Sequence, residues 1–228
     1  MNLYFLVEGM CTETTVYPKW LSYLVPKLTR VDKCELAKKN NYYILSSNGY
    51  PSIISTHIPN AIKEVNEYQQ YNYLVVCLDA EDMDIDEKYI EITSFLFNKG
   101  LSLNSAKLKI IIQNRCFETW FLGNTMIYSR KPIDKDLKIY TSHFNVSTND
   151  PELMLKNGNP KFKTHAQFHS TYLKALFKEK RIEYSKSKPA YVSEEYYLKE
   201  LIKRTKKYHL ITFKCFLDFC TIINKYPL

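Results

Sequence analysis

Glycine is scarce in this sequence, with five residues in a chain of 228. A phosphate-binding loop built on glycine needs several of them at fixed spacing, and the motif G-x-x-x-x-G-K-[S/T] is missing. The composition therefore argues against a glycine-rich nucleotide cradle, against an ATPase activity of the chain's own, and against a loop-rich β-sandwich.

Long apolar runs and paired metal-binding residues are also missing. No stretch of eighteen apolar residues occurs, so we expect no membrane span. The apolar run at residues 3–7 lacks the basic segment and the cleavage site of a signal peptide. The six cysteines form no C-x-x-C pair, and His165 and His169 lack an H-E-x-x-H frame. We therefore expect free thiols, no structural zinc and a cytoplasmic location.

Apolar residues make up 45% of the chain and aromatic residues 14%, which is enough for a sizeable core. Over residues 1–125, short β-forming runs alternate with stretches whose apolar residues recur at helical spacing. This alternation predicts an α/β fold with a mostly parallel sheet flanked by helices. Turn residues predict an irregular connection over 126–165, and three helical patterns predict a basic C-terminal helical extension over 166–228.

Acidic residues directly follow two of the predicted strands. Glu8 comes after the apolar run 3–7, and three acids come after the apolar run 74–78: Asp79, Glu81 and Asp82. In open α/β sheets, ligands bind outside the carboxyl ends of the strands. Because Mg²⁺ prefers carboxylate oxygens, we expect these four acids to form a site for Mg²⁺ or Mn²⁺. The alternative is a strand followed by a solvated acidic turn.

Further charged residues complete the candidate catalytic set. Glu13 falls in the first turn of a predicted helix, where the helix dipole also favours an acid. Arg115 and Glu118 follow the strand predicted at 108–112. Arg115 can offer its guanidinium to a phosphate oxygen or neutralise the acids, and Glu118 can close the pocket or serve as a first-turn acid. The full set is Glu8, Glu13, Asp79, Glu81, Arg115 and Glu118.

Three segments of residues 1–125 resemble the TOPRIM domain, which topoisomerases, bacterial primases and OLD-type nucleases share. They are Val7-Glu8-Gly9-x-x-Thr12-Glu13, Asp79-x-Glu81 after a hydrophobic strand, and Phe117-Glu118-x-Trp120-x-Leu122. The third segment is similar to small stand-alone TOPRIM proteins, of the RloB type and OLD-like defence nucleases. It is more loosely similar to the TOPRIM effector of the PARIS anti-phage system. Glu81 stands where the family has a second aspartate, and Asp82 or Asp84 can take that role instead.

The resemblance implies a metal-dependent endonuclease that acts in antiviral defence, beside a separate ATPase partner. Two ions about 3.5–4 Å apart would stabilise the attacking and leaving oxygens of a phosphodiester, and Glu8 is an alternative general base. Two other interpretations stay open: a nucleotidyl-transfer enzyme as in primases, and a non-catalytic binding or regulatory module with the same fold. The oligomeric state is open as well, a homodimer included.

Positive charge is concentrated towards the C-terminus. Residues 153–228 contain 16 Lys and Arg against 6 Asp and Glu, whereas the whole chain has a net charge of +8. A one-sided basic excess is typical of nucleic-acid binding, although an ordinary solvated surface would also account for it. The predicted nucleic-acid-binding residues are Lys174, Lys178, Arg181, Lys203, Arg204, Lys206 and Lys207.

Overall fold

Five parallel strands form one sheet in the computed structural model, which describes residues 1–226. Their bounds are β1 Leu3–Val7, β2 Thr29–Arg30, β3 Asn41–Ser46, β4 Tyr73–Asp79 and β5 Lys107–Gln113. The strand order is β2-β3-β1-β4-β5, and every pair of neighbours is parallel. The predicted α/β fold with a parallel sheet flanked by helices is confirmed.

Helices connect the strands and fill the C-terminal half of the chain. Their bounds are α1 Thr12–Leu24, α2 Ile58–Tyr68, α3 Ile85–Asn98, α4 Phe117–Phe121, α5 Lys135–His143, α6 His165–Glu179, α7 Ala190–Ser193, α8 Glu195–Thr205 and α9 Ile211–Lys225. Within residues 1–226, no helix has the length and apolar content that a membrane crossing requires.

The sheet is buried on both faces, which is why its central strands are apolar at nearly every position. On one face, Leu3, Phe5 and Val7 of β1 belong to a core that also contains buried residues of α1 and of α4 to α9. On the other face, Tyr4 and Leu6 pack with α2 and α3. The C-terminal helices therefore share one core with the sheet and are not packed as a separate unit.

The segment 126–165 is more regular than the sequence indicates. It contains α5, which buries only Leu137 and Tyr140. Asp134 caps the helix by accepting a hydrogen bond from the backbone N–H of Leu137 at 3.1 Å. Two buried positions in nine residues are too few to reveal a helical period, so the prediction of an irregular connection missed this helix.

Two central strands bring the acidic residues together. β1 and β4 are neighbours in the sheet, and Val7 pairs with Cys77 at their carboxyl ends. The pairing continues past β1, because the N–H of Glu8 donates to the carbonyl of Cys77 at 3.1 Å. β4 runs on to Asp79, so Glu8 and Asp79 leave adjacent strands at the same edge of the sheet.

Candidate active site

The Glu8 carboxylate lies against the end of β4. Its Oε2 accepts a hydrogen bond from the backbone N–H of Asp79 at 2.9 Å. The Asp79 carboxylate is less well satisfied, since its Oδ1 is inaccessible to solvent and has no hydrogen-bond partner within residues 1–226. A buried carboxylate oxygen without a donor costs free energy unless the proton or a cation neutralises the group. Asp79 is therefore the acid most in need of an external partner.

Glu13 turns back from the first turn of α1 to the loop that follows β1. Its Oε1 accepts a hydrogen bond from the N–H of Gly9 at 2.9 Å. A Cβ atom at Gly9 would lie 2.0 Å from Glu13 Oε2, so only glycine leaves room for this arrangement. Gly9 precedes the helix, so this interaction orders the loop before α1, and the position of Glu13 in the first turn stays compatible with the helix-dipole interpretation. The hydrogen bond also holds the carboxylate in the acidic pocket.

Glu81 lines the same pocket from the turn after β4, and Glu118 lies behind it, where its charge acts on Asp79 and Glu13. Glu81 has φ +57°, and its N–H donates to the carbonyl of Arg115 at 2.8 Å, which joins the turn after β4 to the turn after β5. Glu118 is 2% exposed in the first turn of α4, and its Oε1 lies 3.3 Å from Lys186 Nζ. Lys186 belongs to the loop between α6 and α7, and its carbonyl accepts a hydrogen bond from the Thr12 hydroxyl at 3.0 Å.

The electrostatics of the pocket are those of crowded carboxylates. Burial raises the pKa of Asp79 well above its usual range, and the charges of Glu8, Glu13, Glu118 and Glu81 raise it further. Burial raises the pKa of Glu8 as well, against the hydrogen bond from Asp79 N–H and the charge of Lys88. For Glu13, burial and the charge of Glu118 raise the pKa to about 7. Each shift has the sign expected where positive charge is too small to balance the acids.

Glu81 follows the same pattern, since burial and the charge of Glu8 raise its pKa. The carboxylates do not, however, converge on one point. Within residues 1–226, no three His, Cys, Asp or Glu side chains lie in an arrangement that could hold a metal ion. The reason is visible in the hydrogen bonds and ion pairs, because Glu8 and Glu13 are turned to backbone N–H groups and Glu118 is turned to Lys186.

Asp82 does not line this pocket, so the structure does not bring it together with the other predicted metal ligands. Its Oδ1 accepts hydrogen bonds from the backbone N–H of His165 at 2.8 Å and from His165 Nδ1 at 2.5 Å. Burial opposes ionisation, but these hydrogen bonds prevail and lower the pKa of Asp82. Asp84 caps α3 by accepting from the N–H of Asp86 at 2.8 Å. Among the alternatives for the second acid, Glu81 is the one that lines the pocket.

Arg115 has a different position from the predicted phosphate contact. Its φ is +72°, and its Nη1 donates to the carbonyl of Met83 at 3.2 Å. Its Nε is buried without a hydrogen-bond partner in the described chain. Arg115 lines neither the acidic pocket nor the larger cavity that adjoins it. Its contacts with Met83 and Glu81 stabilise the turn that carries Glu81.

Two adjoining cavities define the space at this edge of the sheet. The acidic pocket has a volume of about 360 Å³ and is lined by Glu8, Gly9, Met10, Cys11, Thr12, Glu13, Asn48, Gly49, Asp79, Glu81 and Lys186. A second cavity of about 730 Å³, here called the basic cavity, is lined by Glu81, Lys161, Phe162, Thr164, Ala166, Gln167, Ser170, Thr171, Lys174 and Lys186. Glu81 and Lys186 line both, so the two cavities adjoin.

Six of the seven predicted nucleic-acid-binding residues are exposed at the surface. Lys174 lines the basic cavity. Lys178 pairs with Asp134 and Lys203 with Glu200, each at 2.6 Å. The remaining exposed members of the predicted set lie outside both cavities: Arg181, Lys206 and Lys207.

Arg204 corrects the prediction, because it is 2% exposed and cannot reach a ligand at the surface. Its guanidinium donates to the carbonyls of Val146, Ser147 and Asn149 at 2.7–2.9 Å. Arg204 thus holds the loop after α5 in place.

Sequence reasoning missed three lysines near the site. Lys186 lies in a Ser-Lys-Ser-Lys-Pro run, which indicates a turn and nothing about its position. Lys161 follows another turn, and no spacing relates either lysine to the acids. Lys88 is 1% exposed on α3, where its Nζ pairs with Glu91 at 2.9 Å and lies 3.9 Å from the centre of the Tyr50 ring. Nothing in the sequence of α3 distinguishes Lys88 from the other charged residues of the helix, so its burial could not be predicted.

His165 and His169, spaced four residues apart, do not form a metal pair. His169 is buried, with Nδ1 2.8 Å from the Thr119 hydroxyl and Nε2 2.9 Å from the carbonyl of Met154. Because a carbonyl can only accept, Nε2 carries the proton and Nδ1 accepts from Thr119. Burial lowers the pKa of His169 to about 3, so the ring is neutral and serves the core.

Comparisons with known proteins do not assign the chain to a family. No protein-family model, no curated protein and no solved structure matches the chain. The site must therefore be interpreted from its own residues, together with the motif resemblance in the sequence.

Proposed function

We propose that the protein is a metal-dependent nuclease, which hydrolyses phosphodiester bonds of nucleic acid with Mg²⁺ or Mn²⁺. The observation that carries this proposal is the Asp79 carboxylate, which has a buried oxygen without a donor and lies beside Glu8 at the carboxyl edge of the sheet. The surrounding acids raise one another's pKa, so a divalent cation would relieve both the repulsion and the missing contact.

The acids of the pocket fit an ion that takes few of its ligands from the protein. Mg²⁺ keeps several waters and is commonly held by one or two carboxylates together with substrate phosphates. Asp79 and Glu81 are suited to this role, with Glu8 orienting the end of β4 through the Asp79 N–H. The lack of three converging ligands within residues 1–226 is compatible with such a site. When bound, the ion would polarise the phosphoryl group and lower the pKa of the attacking water.

The chain's own groups supply the rest of the chemistry. Glu13, with a pKa of about 7, can accept a proton from water and return it at neutral pH, and Glu8 is the alternative base. Lys186 places a positive charge where both cavities meet, next to the path of an anionic substrate. The resemblance to defence nucleases extends the proposal to an antiviral effector that works beside a separate ATPase.

The test compares cleavage of plasmid, single-stranded DNA and total RNA by the wild type, Asp79→Asn, Glu8→Gln and the control Glu195→Gln. Glu195 is an exposed acid on α8 that pairs with Lys199 at the surface. We expect metal-dependent cleavage by the wild type and the control, and a loss of about 100-fold or more in both site variants. Mg²⁺ should also raise the melting temperature of the wild type and not that of Asp79→Asn.

The lack of a three-ligand group favours a second candidate, a binding module of the same fold without catalysis. This candidate predicts no cleavage of any substrate and no effect of Mg²⁺ or Mn²⁺ on the melting temperature. Stabilisation of the wild type by metal without cleavage would instead identify an enzyme that needs its partner.

A further inference from the structure

The basic cavity is positioned to receive the part of a substrate that flanks the reacting bond. It opens beside the acidic pocket, with Glu81 and Lys186 on the boundary. Its volume of about 730 Å³ falls within the range of pockets that enclose small organic ligands. A chain that enters both cavities would therefore place one of its units in the basic cavity and the neighbouring phosphodiester against the acids.

Two of the three lysines that line this cavity differ from most lysines of the C-terminal helices. Lys161 and Lys174 have no carboxylate within ion-pair distance in the described chain, and Lys161 Nζ donates to the Tyr140 hydroxyl at 3.3 Å. By contrast, four lysines of α6, α8 and α9 have an acidic partner within 3.0 Å: Lys178, Lys199, Lys203 and Lys214. Two unpaired cations at one concave surface leave their charge available to an anion.

Polar groups between these lysines add hydrogen-bonding capacity. The N-terminal half of α6 presents Gln167 and Ser170 to the cavity. The Gln167 side-chain carbonyl accepts from the N–H of Lys163 at 2.8 Å, which leaves its amide N–H₂ group to donate. Charged ammonium groups with a neutral amide and a hydroxyl match the phosphate and sugar oxygens of a nucleotide. Phe162 is 6% exposed, so the cavity offers little aromatic surface on which a base could stack.

The acids lie in a recess, with Asp79 Oδ1 inaccessible and the loop that carries Lys186 bound to Thr12. Base pairing keeps the phosphates of a duplex on its regular outer surface, away from the bottom of a recess. A single strand can turn one of its nucleotides into a concave site. We infer that the basic cavity is a subsite for one nucleotide of a single strand, held by its sugar and phosphates through Lys161 and Lys174. This inference rests on the proposed nuclease function and names its substrate class.

The experiment measures binding of a fluorescent single-stranded oligonucleotide by anisotropy, in the Glu8→Gln/Asp79→Asn background so that the strand stays uncut. Lys161→Gln/Lys174→Gln is compared with Lys63→Gln/Lys99→Gln, which removes the same charge from two exposed lysines that lie outside both cavities and outside the predicted nucleic-acid-binding set. The cavity variant should lose about tenfold in affinity, and the slope of log K against log salt should fall by about 1.4, as expected for two lost phosphate contacts. The control variant should retain the affinity and the salt slope of the parent, and circular dichroism verifies that each variant is folded.

The outcomes separate this inference from the nuclease itself. Equal losses in the two lysine variants would reduce the effect to general surface charge and overturn the subsite. A duplex of the same sequence that binds as tightly as the single strand would overturn the substrate class. Binding that depends on Lys161 and Lys174, with neither cleavage by the wild type nor stabilisation of it by Mg²⁺ or Mn²⁺, would refute the nuclease and retain the subsite. DNA and RNA strands tested in parallel identify the sugar.

Discussion

At the scale of single residues, the site depends on a contact between Gly9 and Glu13. The Gly9 N–H holds the Glu13 carboxylate, and any side chain at Gly9 would displace it. Glu13 is 9% exposed, and its pKa of about 7 is far above that of a carboxyl in an unfolded chain. The folded protein therefore holds an acid that is only partly ionised at neutral pH, which couples its stability to pH.

Glu13→Gln is expected to flatten the dependence of stability on pH. Because the folded-state pKa is raised, the contribution of Glu13 to stability is present below the unfolded pKa and is lost as pH rises through about 7. Between pH 5.5 and 8, the wild type should lose about 2 kcal/mol of unfolding free energy relative to the variant. Urea denaturation in EDTA at both pH values measures this. Glu152 and His169 titrate in both proteins, so their effects cancel, and parallel pH profiles would contradict the prediction.

At the scale of elements, the loop between α6 and α7 connects the C-terminal helices to the acidic pocket. Lys186 contributes its side chain to Glu118 at the start of α4 and its carbonyl to Thr12 at the start of α1. Two helix starts that are far apart in sequence are thus joined by one residue of a loop. The exposed fraction differs across the ion pair, with 64% for Lys186 and 2% for Glu118, so the pair is only partly screened by water.

A double-mutant cycle with Lys186→Met and Glu118→Gln should reveal a coupling energy of about 1–2 kcal/mol in urea unfolding. The buried carboxylate loses its cation in one single variant, and the cation loses its partner in the other. The same cycle on Lys199 and Glu195, an exposed pair four residues apart on α8, should give about 0.3–0.5 kcal/mol. Equal coupling in the two cycles would show that the Lys186 pair is an ordinary surface contact.

The sequence could predict the site residues that follow strands, and it could not predict those that lie in loops. β1 and β4 are short, continuous apolar runs, and the rule that parallel strands present ligands at their carboxyl ends places Glu8 and Asp79 together. Lys186 lies more than a hundred residues from either acid, in a loop without periodicity, so only tertiary packing brings it to the pocket. Arg204 shows the converse, since its position among exposed lysines suggests a surface charge and its burial follows from the fold of the 146–149 loop.

At the scale of the whole molecule, the two halves of the chain complete each other's core. The indole N–H of Trp20 on α1 donates to the carbonyl of Val192 at 3.2 Å. The indole N–H of Trp120 on α4 donates to the Thr212 hydroxyl at 2.8 Å, and both indoles pack near the ring of Phe213 on α9. Residues 1–125 carry the proposed catalytic acids, but they do not contain the surface that covers these tryptophans.

A chain that ends at residue 125 is therefore expected not to fold by itself. It would expose the apolar face of the sheet that α5 to α9 cover, together with Trp20 and Trp120, and burial of a large aromatic side chain contributes about 1.5–3 kcal/mol each. Loss of several such contacts exceeds the stability of a typical domain. The measurement is thermal unfolding followed by near-ultraviolet circular dichroism, with the full chain as the control. A cooperative transition with retained aromatic signal would show instead that the N-terminal half is an independent domain, to which the helices were added.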